Sequence, residues 1–495
     1  MTDGRPGQLQ QDRLGRGLVA CLWALSLFGL STFARTTLGR AWFPWPLEWM
    51  EGASAQHALR LLHGLPLYAA PAADFVPYLY PPLGYVPMAL GLWILGPSLP
   101  AARAASLACS AGALLLLGRA GARAGGSALA GFVAAGLFAL GFGYAGAFLD
   151  LARVDACFML LVLAGVERVL AGRPRAALGW LALSAFTKQH GLLFLLALSC
   201  ALLLQAPRTY ARAVFAAWAC VLGAFGALEL TSGGWFWRYT MALPAGQPLS
   251  WPLLGSFFAV DVLLYLPVLA LGALFDLRAR WDARALRVFD ALLLAGLCAG
   301  ALGRAHAGGH DNVRLPAFAL LCIAGSAPLC RVLAASERPR PARVRAAAVA
   351  ALVLQFVMLW QPPALHAPDA ASAPRFRALH AALDHCAQGG SRAALDYAFI
   401  DQPFVHTMAL SDLRLGANRA LAAEASAALV SALAAPSAPR ALAVGEHFPA
   451  LDRALMRHYR ECARLPAPTL ATGYRPGRGR SARWQIVYAL APASR

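Results

Sequence analysis

Apolar residues fill the chain in long runs. One spans about 17–39, and others lie at about 125–147, 155–171, 213–230, 255–275, 288–303, 314–334 and 346–362. Each is close to the roughly 17–25 residues that a helix needs to cross a bilayer. In hydrocarbon the backbone has no water to bond, so spanning segments must satisfy their own N–H and C=O groups, as helices do. Hydrophobic residues make up 59% of the chain and charged residues only 14%, which a water-soluble domain of 495 residues would not tolerate. The pattern predicts an all-α polytopic membrane protein. The first run is too long for a signal peptide and lacks a cleavage-like end. The stretch 176–206 starts and ends beside arginines, so it crosses twice, with FTKQH at the tip of a hairpin. Residues 81–118 hold two apolar pieces, of which YPPLGYVPMALGLWILG reads as partly juxtamembrane or re-entrant. The expected total is about 11–13 transmembrane helices.

The formal charge of +19 suggests nucleic acid at first sight. However, the arginines sit in short segments between apolar runs, where basic residues mark the cytoplasmic side. They are topology signals, and no nucleic-acid partner is expected. By this rule residues 1–16 are a cytoplasmic tail, and the loops at 118–126, 171–177, 206–212, 276–287 and 336–345 are cytoplasmic. Residues 17–362 are then the membrane domain, with a first outer loop at 40–80. From 363 the composition changes. Residues 363–495 read as a small α/β extracytoplasmic domain, with strand-like runs in AALDYAFI, ALAVGEHF and WQIVYAL.

Parity places the rare ionisable residues near span ends on one side, the outer one. Glu48 and Glu51 lie in PLEWMEG, and Arg153 and Asp155 in FLDLARVDACF. Lys188, Gln189 and His190 cap the hairpin. Arg304, His306, His310, Asp311, Asn312 and Arg314 lie in GRAHAGGHDNVRLP. Ionisable groups at membrane depth cost about 2.5–3.5 kcal/mol on insertion scales and mark function by default. Singly, each has a plain structural reading: Arg153 as a snorkelling side chain, Asp155 as its partner, Lys188 as a turn cap, His310 and Asp311 as solvated loop residues. Their convergence favours function. Lys188 is the only lysine among 43 basic residues. An ammonium is a compact point charge, whereas a guanidinium is a planar fork, and a narrow hairpin tip against one phosphate oxygen suits the ammonium. A neighbouring carboxylate suits a general base for an acceptor hydroxyl or amine. Together these groups predict one deep cavity lined by Glu51, Asp155, Lys188 and the 304–314 loop.

WMEGASAQHALRLLHGLPLY, followed by FVPYLYPPLGYVP, resembles the first outer loop of GT-C-fold membrane glycosyltransferases. The similarity is to family 39 and its relatives, the protein O-mannosyltransferases and lipid A aminoarabinose transferases. It continues in order through ARAASLACSAGALLLLGR, LARVDACFMLLVLAG, LALSAFTKQHGLLFLL and AGGHDNVRLPAFALL, over about residues 17–335. The resemblance implies sugar transfer, with inversion, from a polyprenyl-phosphate-linked donor at the outer face of the inner (plasma) membrane. It implies catalytic roles for Glu51, Asp155 and Glu48, with the base left open between the two glutamates because the family's common Asp-Glu pair is here Glu48-Trp-Met-Glu51. It also implies that Lys188, Arg153 and Tyr80, with the other hairpin and 304–314 residues, bind lipid phosphate and substrate. A transporter or flippase of lipid-linked saccharides, or a non-catalytic membrane scaffold, remain the alternatives. A transporter would be expected to place its charges near the midplane and to show an inverted repeat, neither of which is visible here.

No cofactor is required by this reading. The two histidines of HAGGH leave a divalent metal open, with polar lining as the plainer account. Eight of the ten cysteines fall in apolar runs, and none shows Cys-x-x-Cys spacing. Cys386 and Cys462 alone fall in the expected outer domain, and an oxidising compartment predicts a disulfide between them. Sugar, acceptor and oligomeric state are not written in the sequence.

Overall fold

The computed structural model describes residues 6–72, 74–306, 309–334, 340–368, 370, 372–395, 400, 413, 418–444, 448–465 and 486–491, with side chains from residue 16. The tail at 1–16 is helical from Pro6, because α1 runs Pro6–Ala41. The first outer loop carries α2 (Glu51–Leu62). Then come a 3-10 turn at Pro82–Tyr85, α3 (Val86–Leu95), α4 (Leu99–Gly125), α5 (Ala128–Leu140), α6 (Asp155–Leu170), α7 (Pro174–Ala185), α8 (Gly191–Gln205) and α9 (Pro207–Thr231). Further helices cover Pro267–Asp282, Val288–Ala305, Leu315–Ala334 and Ala342–Leu359. Leucine, phenylalanine and tryptophan side chains such as Trp93, Leu204, Phe215 and Leu230 point outwards, as a lipid-facing surface requires.

Among the described residues, six helices are long and apolar enough to cross a membrane by length and composition, or seven counting one bent pair. Three shorter apolar helices, Pro82–Leu95, Ala128–Leu140 and Gly191–Gln205, complete the bundle together with α6 and α7. Several of the expected spans are short or broken, for local reasons. The expected span at 125–147 stops at Leu140, and residues 141–154 continue as buried, irregular chain. Non-helical backbone at membrane depth is tolerated when protein buries it. The expected straight span at 255–275 is also broken: Trp251–Leu264 and Pro267–Asp282 meet at 96°. Proline at 267 cannot donate the backbone hydrogen bond that would carry the helix across. In the 81–118 region, α3 is too short to cross while α4 is long enough, which fits a juxtamembrane piece followed by one span.

The expected arginine loops gather at one end of the bundle. There Glu167 accepts from Arg123 Nε at 3.1 Å, Arg331 donates to the Ala124 carbonyl at 2.8 Å, and Asp276 pairs with Arg280 and Arg331. The ionisable residues singled out above lie at the opposite end.

After the bundle come the helix Ser372–Ala387, β1 (Arg392–Ala394), the helix Arg419–Ala434, β2 (Ala441–Val444), the helix Pro449–His458, β3 (Tyr459–Arg464) and β4 (Ile486–Leu490). The sheet order is β1-β2-β4-β3; β1 and β2 are parallel, and β4 is antiparallel to both its neighbours. The three strand-like runs thus supply β1, β2 and β4, and residues 396–399, 445–447 and 484–485 of those runs lie outside the described residues. Cys386 and Cys462 are disulfide-bonded, with Cα atoms 6.0 Å apart, as expected. The bridge ties the end of one helix to β3. This unit packs on the first outer loop, where Phe376 stacks on Trp45 with centroids 5.6 Å apart.

Candidate active site

Residues 141–154 organise the site end. Gly146 has φ +77°, and a Cβ there would lie 2.7 Å from Asp311 Cβ, so only glycine fits. Ala147 follows with φ +59°, an uncommon conformation for a residue with a side chain, and its carbonyl accepts from Arg40. The next residues deliver Asp150, Arg153 and Asp155 to three different ion pairs. Asp150 pairs with Arg40 of α1. Arg153 Nη1 donates to both oxygens of Glu48 at 3.0 Å, and its Nη2 donates to Tyr80 Oη at 3.0 Å. Asp155 opens α6, where the helix dipole favours a negative charge.

Asp155 is the hinge of the arrangement. Its Oδ1 accepts from Lys188 Nζ at 2.7 Å and from Asn312 Nδ2 at 2.9 Å. Its Oδ2 lies 3.4 Å from Arg153 Nε without a hydrogen bond, and among the described residues no group donates to it. Glu48, Arg153, Asp155 and Lys188 therefore alternate in sign along a buried line. Buried charges persist only when paired in this way. Lys188 reaches the line because the α7–α8 hairpin is tight: a Cβ on Gly191 would lie 2.4 Å from the backbone at Ser184 and Ala185. The ammonium also faces the Tyr80 ring at 5.8 Å.

A second network adjoins the first through the turn Asp311–Arg314. Arg314 Nη1 donates to Asp261 at 2.9 Å, Arg304 Nε donates to Asp261 at 3.2 Å, and Arg314 also pairs with Asp311. Arg314 lies over the Tyr144 ring at 4.6 Å, and Tyr144 Oη donates to the Asp261 carbonyl at 2.8 Å. The structure thus brings Arg304, Asp311, Asn312 and Arg314 together with the Asp155 line, but most of their charge goes to Asp261. His306 forms a bridge with Leu249, His310 meets the edge of Trp49, and residues 307–308 lie outside the described residues. Among the described residues, no three His, Cys, Asp or Glu side chains are grouped to hold a metal.

The Gln189 Nε2 donates to the carbonyls of Leu79 and, at 2.6 Å, of Thr240. Around Asp155 and Lys188 the expected deep cavity is only a narrow cleft. The cleft lined by Asp155, Phe158, Lys188, His190, Asn312 and Val313 has a volume of about 10 Å³, room for about one water. Glu51 is not among its lining residues. Its Oε1 accepts from Arg103 Nε at 2.8 Å and from the Ala152 amide at 2.9 Å, and its Oε2 from Arg103 Nη2 at 2.7 Å and from the Leu47 amide at 2.6 Å.

The environments of the two glutamates diverge. Burial pushes the Glu48 carboxyl above its ordinary value, against the pull of Arg153. Burial also pushes Glu51 up, but Arg103 and the Ala152 and Leu47 amides outweigh it and hold that carboxyl low. His57, in α2, is a structural histidine. Its Nδ1 donates to the Ala53 carbonyl at 2.7 Å, its Nε2 accepts from the Tyr78 amide at 3.0 Å, and its ring stacks on Tyr78 and Tyr85. Burial lowers its pKa to about 4.

Sequence reasoning missed Arg40, Arg103, Asp150, Asp261 and Tyr144. Asp261 had a usable signal, a lone carboxylate inside the apolar run FFAVDVLL. Asp150 stands in the same LDLARVDA run as Arg153 and Asp155.

No family model matches the chain, and no curated protein matches it in sequence. Solved structures do. The crystal structure of ArnT from Cupriavidus metallidurans bound to undecaprenyl phosphate covers 96% of this chain and 98% of its own, with TM-score 0.48 and 13% identity. ArnT from the same organism in the apo state covers 97% and 98%, with TM-score 0.51 and 15% identity. At this identity the likeness to the apo structure is one of fold, and the chain accordingly has the GT-C-like fold of ArnT.

Proposed function

We propose that the protein transfers a sugar from a polyprenyl-phosphate-linked donor to an acceptor hydroxyl or amine, and that it does so at the extracytoplasmic face. The observation that carries this reading is the alternating line Glu48–Arg153–Asp155–Lys188, two cations and two carboxylates buried at one end of a GT-C-like bundle. Displacement at an anomeric carbon breaks the bond to the phosphate oxygen. The departing lipid phosphate needs cationic stabilisation. Lys188 and Arg153 supply it. The acceptor loses a proton as its bond to the sugar forms, and Glu48, its carboxyl pushed up by burial, is the more basic of the two glutamates and suited to take it. The cations are already paired and the cleft is small, so a phosphate enters by displacing a carboxylate. When Arg153 turns to the phosphate it releases Glu48, which couples donor binding to the freeing of the base. The oxidised Cys386–Cys462 pair supports the extracytoplasmic assignment, since disulfides persist in oxidising compartments.

The test is transfer from a radiolabelled polyprenyl-phosphate sugar by the full-length protein in lipid nanodiscs. Glu48→Gln is expected to lower turnover by about 10²–10⁴-fold while polyprenyl phosphate still binds, and Lys188→Ala to weaken that binding. Wild-type turnover in Glu48→Gln would remove it as the base. Equal lipid binding in Lys188→Ala would remove the phosphate site.

A further inference from the structure

Glu51 is the most completely bonded carboxylate at the site end, and its partners come from three separate parts of the chain. Arg103 reaches it from α4. The Leu47 amide belongs to the residue just before Glu48, and the Ala152 amide to the residue just before Arg153. One carboxylate therefore fixes the backbone on both sides of the Glu48–Arg153 pair. Arg103 completes the fastening. It is fully buried, and beyond Glu51 it donates to the carbonyls of Phe43 and, at 2.7 Å, Trp45. A guanidinium has five N–H donors in a fixed fork, which an ammonium cannot reproduce.

We propose that Glu51 and Arg103 form a positioning pair that sets the separation of Glu48 from Arg153, and that Glu51 takes no proton in the reaction. The proposal rests on the reading above, in which Glu48 and Arg153 carry the chemistry. The low-lying carboxyl of Glu51 agrees with it, since its four donors favour the ionised form. The known rate contribution of placement agrees as well: a misplacement of about 1 Å away from the chemistry can cost about 10²-fold.

Each oxygen of Glu51 accepts from two N–H donors, so Glu51→Gln turns one of them into an NH₂ that faces both, and two of the four tethers are lost without a change of size. The experiment is the pH–rate profile of nanodisc-embedded full-length protein with polyprenyl-phosphate sugar, for wild type, Glu48→Gln, Glu51→Gln, Arg103→Lys and the Glu51→Gln/Arg103→Lys double variant. Arg103→Lys keeps the buried charge and reports the same point if Glu51→Gln does not fold. The limb that disappears in Glu48→Gln is expected to persist in Glu51→Gln and in Arg103→Lys, displaced in pH. Turnover should fall about 10-fold or more, and the double variant should be no worse than the poorer single one, as residues of one network behave. Disappearance of the limb in Glu51→Gln makes Glu51 itself the base and overturns the proposal. A limb at the wild-type pH, with only a lower melting temperature, reduces the pair to a structural fastening and overturns it too. An unchanged profile in Glu48→Gln fails the parent reading instead, and is read separately.

Discussion

At the arginine end of the bundle, Glu167 is met by Arg119 and Arg123, which are 52% and 42% exposed; at the site end, Glu51 is met by Arg103, which is fully buried. The residue types are the same and their surroundings are opposite. Arg287 and Arg331, around Asp276, are 41% and 37% exposed, whereas Arg40 and Arg153 are nearly sealed. Solvated arginines cost the fold little and signal which way the chain threads the membrane. Sealed ones demand a full set of partners, and the partners of Arg103, Arg153 and Lys188 draw in α1, α2, α4, α6 and the α7–α8 hairpin. Burial, more than residue type, separates a topology signal from a site.

The comparison can be broken most forcefully through His57. It is neutral in the fold, with its pKa lowered from 6.5 to about 4, so its contribution is fully present above pH 6.5 and is lost as pH falls through about 4. The shift corresponds to roughly 3 kcal/mol. The melting temperature of the detergent-solubilised protein should drop between pH 7 and pH 4 more steeply than that of His57→Gln, and equal slopes would show that the first outer loop does not depend on a sealed, uncharged ring. Lys188→Arg sharpens the contrast at constant charge. The fork does not fit the narrow hairpin tip, and turnover should fall about 10-fold, ~1.4 kcal/mol; wild-type rates would return Lys188 to capping a turn. The smallest effect is expected at the other end. Arg123→Ala removes a half-exposed partner of Glu167, which keeps Arg119 and Arg168. Stability should change by less than about 1 kcal/mol and turnover not at all. A loss of turnover comparable with Lys188→Arg would collapse the distinction between the ends.

Much of this was legible in the residues. Hydropathy located α1, α4, α6, α8, α9 and the later helices, and charge parity collected Glu48, Arg153, Asp155 and Lys188 at one end. The helix ends at Leu140 and Leu264 were not legible, because the apolar composition continues past them; what stops the helices is tertiary burial of the 141–154 chain and Pro267 at a bend. Arg103 was hidden for a different reason. In SLPAARAAS it looks like one more arginine near a span end, and its choice of Glu51 is a contact across 52 residues. The same holds for the bonding of Glu51. A motif gives a carboxylate's position along the chain, whereas its availability depends on amides at Leu47 and Ala152 that no local pattern announces.

The strict pairing at the site end has a consequence for how a donor arrives. The carboxylates Glu48, Glu51, Asp150, Asp155, Asp261 and Asp311 are balanced by Arg40, Arg103, Arg153, Lys188, Arg304 and Arg314. Six charges against six leave little net field beyond the first few ångströms, so this end does not reach into the surrounding medium to pull in an anion. On the proposed function, a lipid phosphate would come to it by sliding within the leaflet until it touches the cleft. Capture should therefore be nearly indifferent to added salt, unlike electrostatically steered encounters, whose rates collapse as the Debye length shortens.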